Sequence, residues 1–252
     1  YQNAQGDSSA LLTISQRFVG DDCDLVLAIG TGAAQSIASQ TSEIPVLITA
    51  VTDPVDAGLV QSNEAPGTNV TGTNDMNPIR EQMELIREFL PDVQTVGLLY
   101  TSSEDNSALQ IQEVKAVLEE INVGYVEQTV TGSNDVQQAV QSILGKCDAL
   151  YIPTDNTLAA SAALVGSAAQ TAKIPVFWGE GNCVAEGGLA SLGLDYYNLG
   201  RQTGEMAVEV LEGADPAVMP IQSQSDYSYT ISKSMAEEIG IEIPEHLLEF
   251  AE

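Results

Sequence analysis

Short apolar runs alternate with helix-patterned segments along the whole chain, and this alternation restricts the fold more than any other property of the sequence. The runs that read as strands are Leu25–Ile29, Val46–Val51, Val70–Gly72, Val93–Tyr100, Val123–Val130, Ala149–Pro153, Val176–Trp178, Leu189–Leu194 and Tyr227–Ile231. Between most of them lie helical patterns at Ser8–Phe18, Ala33–Gln40, Pro78–Phe89, Ser107–Ile121, Asp135–Leu144, Leu158–Thr171, Tyr197–Leu211 and Ser234–Ile239. Strand–helix–strand alternation builds parallel sheets, because parallel neighbours need a long crossover between them. The runs are continuously apolar, as strands covered by helices on both faces require. The expected class is α/β.

One sheet of this many strands would be large, so two sheets of four or five strands each fit better. The first seam falls in the polar stretch "NVTGTNDMNP", Asn69–Pro78, and further crossings fall near "LGLDYYNLG", Leu192–Gly200, and "GADPAVMP", Gly213–Pro220. The expected lobes are 1–73 plus 195–216 and 74–194 plus 217–252. Three crossings imply a hinge, and hinged lobes close around ligands in a cleft. The opening "YQNAQGDSSAL" reads as the end of a strand, a polar loop and a helix. The usual first strand–helix unit of such a lobe is therefore missing, and the expectation is that one precedes Tyr1.

Charge excludes several classes. The 252 residues carry 36 acidic and 8 basic side chains, a formal −28. Nucleic acid and anionic lipid find no Lys/Arg footprint on such a surface. Cys23, Cys147 and Cys183 are widely separated with no CxxC, and the single His246 lies near the C-terminus. These counts give no metal set, no disulfide framework and no Ser-His-Asp scheme, so neither cofactor nor metal is expected. The uncharged stretch Thr157–Ala172 is interrupted by Ser, Gly and Gln and is too short to span a bilayer.

Candidate chemistry gathers where the strands end. "GTGAAQS" follows Ile29, "TDPVDAG" follows Val51, "TSSEDNS" follows Tyr100 and "TDNTLA" follows Pro153. The carboxyl edge of a parallel sheet is where open α/β folds bind ligands. "GTGAAQS" lacks the P-loop lysine and the third glycine of a dinucleotide fingerprint. Two readings stand side by side for it. One is a plain strand-to-helix turn; the other is an anion cradle in which Thr31 and the N–H groups of Gly32 and Ala33 hold one carboxylate. Asp53 before Pro54 reads as a helix N-cap, leaving Ala50 and Thr52 as wall residues. Asp155, with Asn156 beside it, reads as a cap or as the partner of a ligand ammonium, with the ligand role favoured. Ser103 and Asn106 are caps or carboxylate contacts. Tyr100, Trp178 and Tyr196 sit at strand ends or crossings and supply an aromatic lining. Ser103, Asp105 and Glu180 are the groups an amino-acid-processing enzyme would have to use, and no proton-exchanging pair is evident among them.

Taken together, "NAQGD", "TGAAQSIAS", "AVTDPVDAGLV…PGTNVTG", "YIPTDNT" and "DYYNLGRQTGEMAVEVLEG" resemble the substrate-binding proteins of ABC importers, in their tryptophan/tyrosine-binding branch. The resemblance runs along nearly the whole chain. It implies a type I periplasmic-binding-protein fold, with two Rossmann-like lobes, a three-strand hinge and an amino acid held between the lobes. It also implies an extracytoplasmic receptor without enzymatic activity, often lipid-anchored and here expected to be a monomer, that delivers an aromatic or apolar amino acid to ABC permease subunits. In this reading Thr31, Gly32 and Ala33 hold the carboxylate and Asp155 the ammonium. Ala50, Thr52, Tyr100, Ser103, Asn106, Asn156, Trp178, Glu180 and Tyr196 complete the ligand-binding set. A ligand-sensing domain of a signalling system is the alternative reading.

Overall fold

The computed structural model describes residues 1–252. It divides into two compact units, Tyr1–Met76 with Leu194–Asp226, and Asn77–Gly193 with Tyr227–Glu252. The division is passed at 76/77, 193/194 and 226/227. The last passage lies beyond "GADPAVMP" because residues 217–226 stay with the first unit: Ile221 packs into its core and Thr73 bridges to Gln222.

The first unit runs α1 (Ser8–Gly20), β1 (Val26–Ile29), α2 (Thr31–Ala38), β2 (Val46–Val51) and β3 (Val70–Asn74). Its sheet has the order β1-β2-β3, with both pairings parallel. Alternate residues of β2 serve opposite faces, as the two-residue period of a strand demands. Val46 and Ile48 pack with Ala34 and Ile37 of α2, whereas Leu47 meets Met206 and Val210 of the later helix Tyr196–Leu211. β1 forms one edge of this sheet and leaves Leu27 and Ile29 49% and 61% exposed. α1 docks on α2, where the Ser15 and Ser36 hydroxyls lie 2.8 Å apart.

The second unit continues α3 (Ile79–Phe89), β4 (Thr95–Thr101), α4 (Asp105–Glu120), β5 (Gly124–Val130), α5 (Val136–Leu144), β6 (Ala149–Ile152), α6 (Asn156–Ala159), α7 (Ala162–Ala172), β7 (Val176–Trp178) and β8 (Ala190–Leu194). The chain then returns to the first unit through α8 (Tyr196–Leu211) and closes the second with β9 (Tyr227–Ile231) and α9 (Lys233–Ile239). The six-stranded sheet has the order β5-β4-β6-β7-β8-β9, parallel from β5 to β8. Its two faces carry separate cores. Val96, Leu98, Tyr151 and Phe177 pack on the side of α3 and α4. Leu99, Leu150, Ile152 and Trp178 pack on the side of α5 and α7. The helical pattern 158–171 is two helices, because Ser161 (φ −115°, ψ 13°) leaves the helical region between α6 and α7. No helix is long and apolar enough to cross a membrane.

One backbone approach organises the first sheet. A Cβ at Gly72 would lie 2.1 Å from the Ile48 carbonyl oxygen, and Gly72 has φ +139°. Immediately beyond this contact the β2–β3 register shifts between Ile48 and Val51, with Ala50 at φ +54°. Such a bulge leaves one residue without a cross-strand partner and re-aims the strand end. Gly72→Ala should therefore destabilise the protein by more than about 3 kcal/mol, combining a steric clash with a strained backbone. Gly145→Ala, in open space at the end of α5 with φ −82°, should change stability by about 0.5 kcal/mol or less. Urea denaturation of both variants checks the contrast.

Candidate functional site

In the first unit, the strand ends build a short polar edge. Gly30 (φ +86°) turns the chain from β1 into α2, and its N–H donates to Thr49 O at 3.0 Å. No side chain caps α2 and its first turn holds no acid. The first N–H groups of a helix lack intrahelical acceptors, so Thr31, Gly32 and Ala33 present a positive helix end. Thr31 is buried, Gly32 exposed and Ala33 half-buried. In a chain with so many carboxylates, an acid-free first turn keeps that end available to an anion.

Ala50 and Thr52 flank the bulged end of β2, Ala50 half-buried and Thr52 buried. Asp53 accepts N–H bonds from Val55 at 2.8 Å and Asp56 at 3.0 Å. It caps a run of turns, not a helix. Tyr196 begins α8, whose N-terminus Asp195 caps through the N–H groups of Tyr197 and Asn198. The Tyr196 hydroxyl donates to the Asp75 carboxylate at 3.0 Å, and Asp75 is only 1% exposed. Asp75 was invisible as a site residue in the sequence, where it reads as one more polar position of the seam.

In the second unit, Asp155 takes the capping role. Its Oδ1 accepts the Leu158 N–H at 2.9 Å and the Thr101 hydroxyl at 2.8 Å, and its Oδ2 accepts the Thr101 N–H at 2.6 Å. A carboxylate offers about four acceptor positions, so three protein donors nearly saturate it. Asp155 thus makes the capping contacts that the sequence offered as one of its two roles, and its lone pairs lock the end of β4 to the start of α6. Glu104 ties the same two loops from outside. Its carboxylate accepts the Asn156 N–H and side-chain amide and the Thr157 N–H and hydroxyl, at 2.7–3.0 Å. Asn156 is thus exposed and held by Glu104.

Asn106 is buried in the first turn of α4 and donates to Thr154 O at 2.9 Å, while Ser103 lies exposed in the preceding loop. Glu180 accepts the Cys183 thiol proton at 2.9 Å. Two aromatic candidates sit elsewhere than on a common edge. Trp178 is 1% exposed inside the core that α5 and α7 cover. Tyr100 packs against the opposite core, with its hydroxyl on Glu127 of β5 at 3.2 Å. Even and odd positions of a strand point to opposite faces, and parity sent each ring to a sheet face. Two open grooves, of ≈ 630 Å³ between α5 and α7 and ≈ 650 Å³ at the amino ends of β2 and β3, contain none of these candidates.

Burial raises the Asp155 carboxyl above its ordinary value, and the neighbouring Glu104 charge adds to the rise. The native fold therefore holds this proton more tightly than the unfolded chain does. The group's contribution to stability is full below the ordinary aspartate range and is lost as pH rises through the raised value. Asp155→Asn removes that titration. Measured by denaturation across pH 4 to pH 8, the variant should lose less stability with rising pH than the parent; parallel curves would contradict the account.

The family model described as ABC transporter substrate binding protein matches residues 1–252. A protein named tyrosine-binding protein, from Clostridioides difficile (strain R20291), is 40% identical over 233 residues, covering 92% of this chain and 68% of that one. A solved Streptococcus pneumoniae ABC domain in complex with L-Trp is 42% identical with a TM-score of 0.96, covering 99% of this chain and 85% of that chain. A conserved domain protein from Vibrio cholerae is 40% identical with a TM-score of 0.97, covering 100% and 85%. The parallel α/β units, the polar residues at their strand ends and a family match over the full length agree, and this chain belongs to the ABC transporter substrate-binding protein family.

Proposed function

We propose that the protein is the extracytoplasmic receptor of an ABC importer and that it binds a free aromatic L-amino acid for delivery to permease subunits. The observation that carries this reading is the uncapped, acid-free N-terminus of α2 at the carboxyl edge of the first sheet. A helix start of this kind suits a single carboxylate, and the sequence around it lacks the lysine a polyphosphate would need. Thr31 adds its hydroxyl to the N–H groups of Gly32 and Ala33. Tyr196, half-buried and oriented by Asp75, offers a ring to an aromatic side chain. The ligand class is supported by two relatives at 40% and 42% identity, one named for tyrosine binding and one solved with L-Trp.

A ligand that binds only the native state raises the melting temperature; at a hundredfold excess over Kd the gain is about 2.7 kcal/mol. Thermal-shift measurements with each of the twenty amino acids should single out tryptophan, tyrosine and phenylalanine. Stabilisation by sugars or nucleotides, with none from any amino acid, would overturn the reading.

A further inference from the structure

The crossover helices α5 and α7 of the second unit pack side by side on one face of the six-stranded sheet, with Val140, Ile143, Val165 and Ala169 buried in a shared core. Each connects parallel strands, so both run from the carboxyl edge of the sheet to its amino edge. Their outer face differs from that of the other long helices. No residue of α5 or α7 is charged, whereas α3, α4, α8 and α9 each carry acids and bases. A helix facing water ordinarily places charge on its outer side. Here Gln137, Gln141, Ser167 and Thr171 face outward beside Leu164, which is 39% exposed. A groove of ≈ 630 Å³ opens between the two helices, and Leu164 stands on its wall.

At the two ends of the helix pair charge returns, with opposite signs. At the amino edge Lys146 follows α5 and Lys173 ends α7, both exposed. The nearby Asp148 is already engaged, its carboxylate accepting the Gln94 and Thr95 N–H groups at 2.9 Å. At the carboxyl edge stand Asp135, just ahead of α5, and Glu104, which holds Asn156 and Thr157 at the start of α6. Two copies of a chain with a formal charge of −28 repel each other, and contact through most surfaces brings acids together. A face whose helices carry no acid removes that cost at the point of contact. A two-fold axis normal to the face lays the helices of two copies antiparallel, and each copy's lysine end then meets the other's acidic end. The exposed leucine beside an open groove is complementary to itself under the same axis. We propose that the α5–α7 face joins two copies of this chain in a two-fold dimer, with Leu164 of each copy entering the groove of the other. The inference goes beyond the receptor reading, does not depend on the ligand, and departs from the monomer that the resemblance implies.

Sedimentation equilibrium on the parent and on surface variants tests it. The mass of the parent should rise with concentration from 26.6 kDa toward twice that value. Leu164→Glu, which places like charges in the contact, should weaken association roughly tenfold or more, and Val208→Glu, at an exposed apolar position of α8, should leave it within about threefold of the parent. Lys173→Glu and Asp135→Lys should each weaken association, and the two combined should restore it, because the swap re-forms opposite charges across the axis. A parent that sediments as a single copy up to roughly millimolar concentration overturns the inference. So does association that Leu164→Glu leaves intact, an equal loss with Val208→Glu, or a charge swap that restores nothing.

Discussion

Parallel strand pairing is the constraint on which the rest of the molecule depends. Each crossover helix returns the chain to the same end of the sheet, so every parallel strand finishes at one edge. The backbone there leaves the ladder, and helix N-termini begin a few residues later. Donors and short polar side chains collect at that edge for topological reasons before any chemistry is selected. In this protein the edge of the first sheet holds an open helix start at Thr31, and the edge of the second holds a network of amides and clasped carboxylates. The two edges differ in how they treat their donors. The first leaves them unclaimed; the second spends nearly all of them internally.

That difference has energetic consequences. Glu104 and Asp155 join the loops after β4 and β6 through hydrogen bonds to backbone N–H groups. In the first unit the comparable device is backbone strain. The close approach of Gly72 to Ile48 and the left-handed Ala50 set the direction in which β2 ends, and Thr52 follows from it. Strain of this kind persists only where the surrounding structure over-determines it.

Much of the fold was legible in the sequence because burial on both faces writes itself as continuous apolar runs. Val46–Val51 and Val176–Trp178 are read from the sequence alone, and the strand read as Ala149–Pro153 ends one residue earlier, at Ile152. The break between α6 and α7 was not, since "TLAASAALVG" contains no proline or glycine at the break. The glycine turn at Gly30 and the polar strand ends were equally readable. Individual roles were less so. Trp178 and Tyr100 lie at strand ends, as expected, but pleat parity places their rings in opposite cores. Asp155 is polar and follows a buried strand whether it caps a helix or meets a ligand, and its contacts with Thr101 and Leu158 are visible only in the structure. Asp75 and Asn77 stand in a run of polar residues whose burial no local pattern reveals.

The central claim is that an open helix start receives the carboxylate of an amino acid. Calorimetric titration with L-tryptophan and L-tryptophanamide tests it most directly, because the amide keeps the ring and the ammonium but removes the negative charge. The account predicts that L-tryptophan binds and that the amide binds roughly a hundredfold more weakly or worse, the consequence of losing charge-assisted hydrogen bonds at a helix terminus. Equal affinity for the two would contradict it.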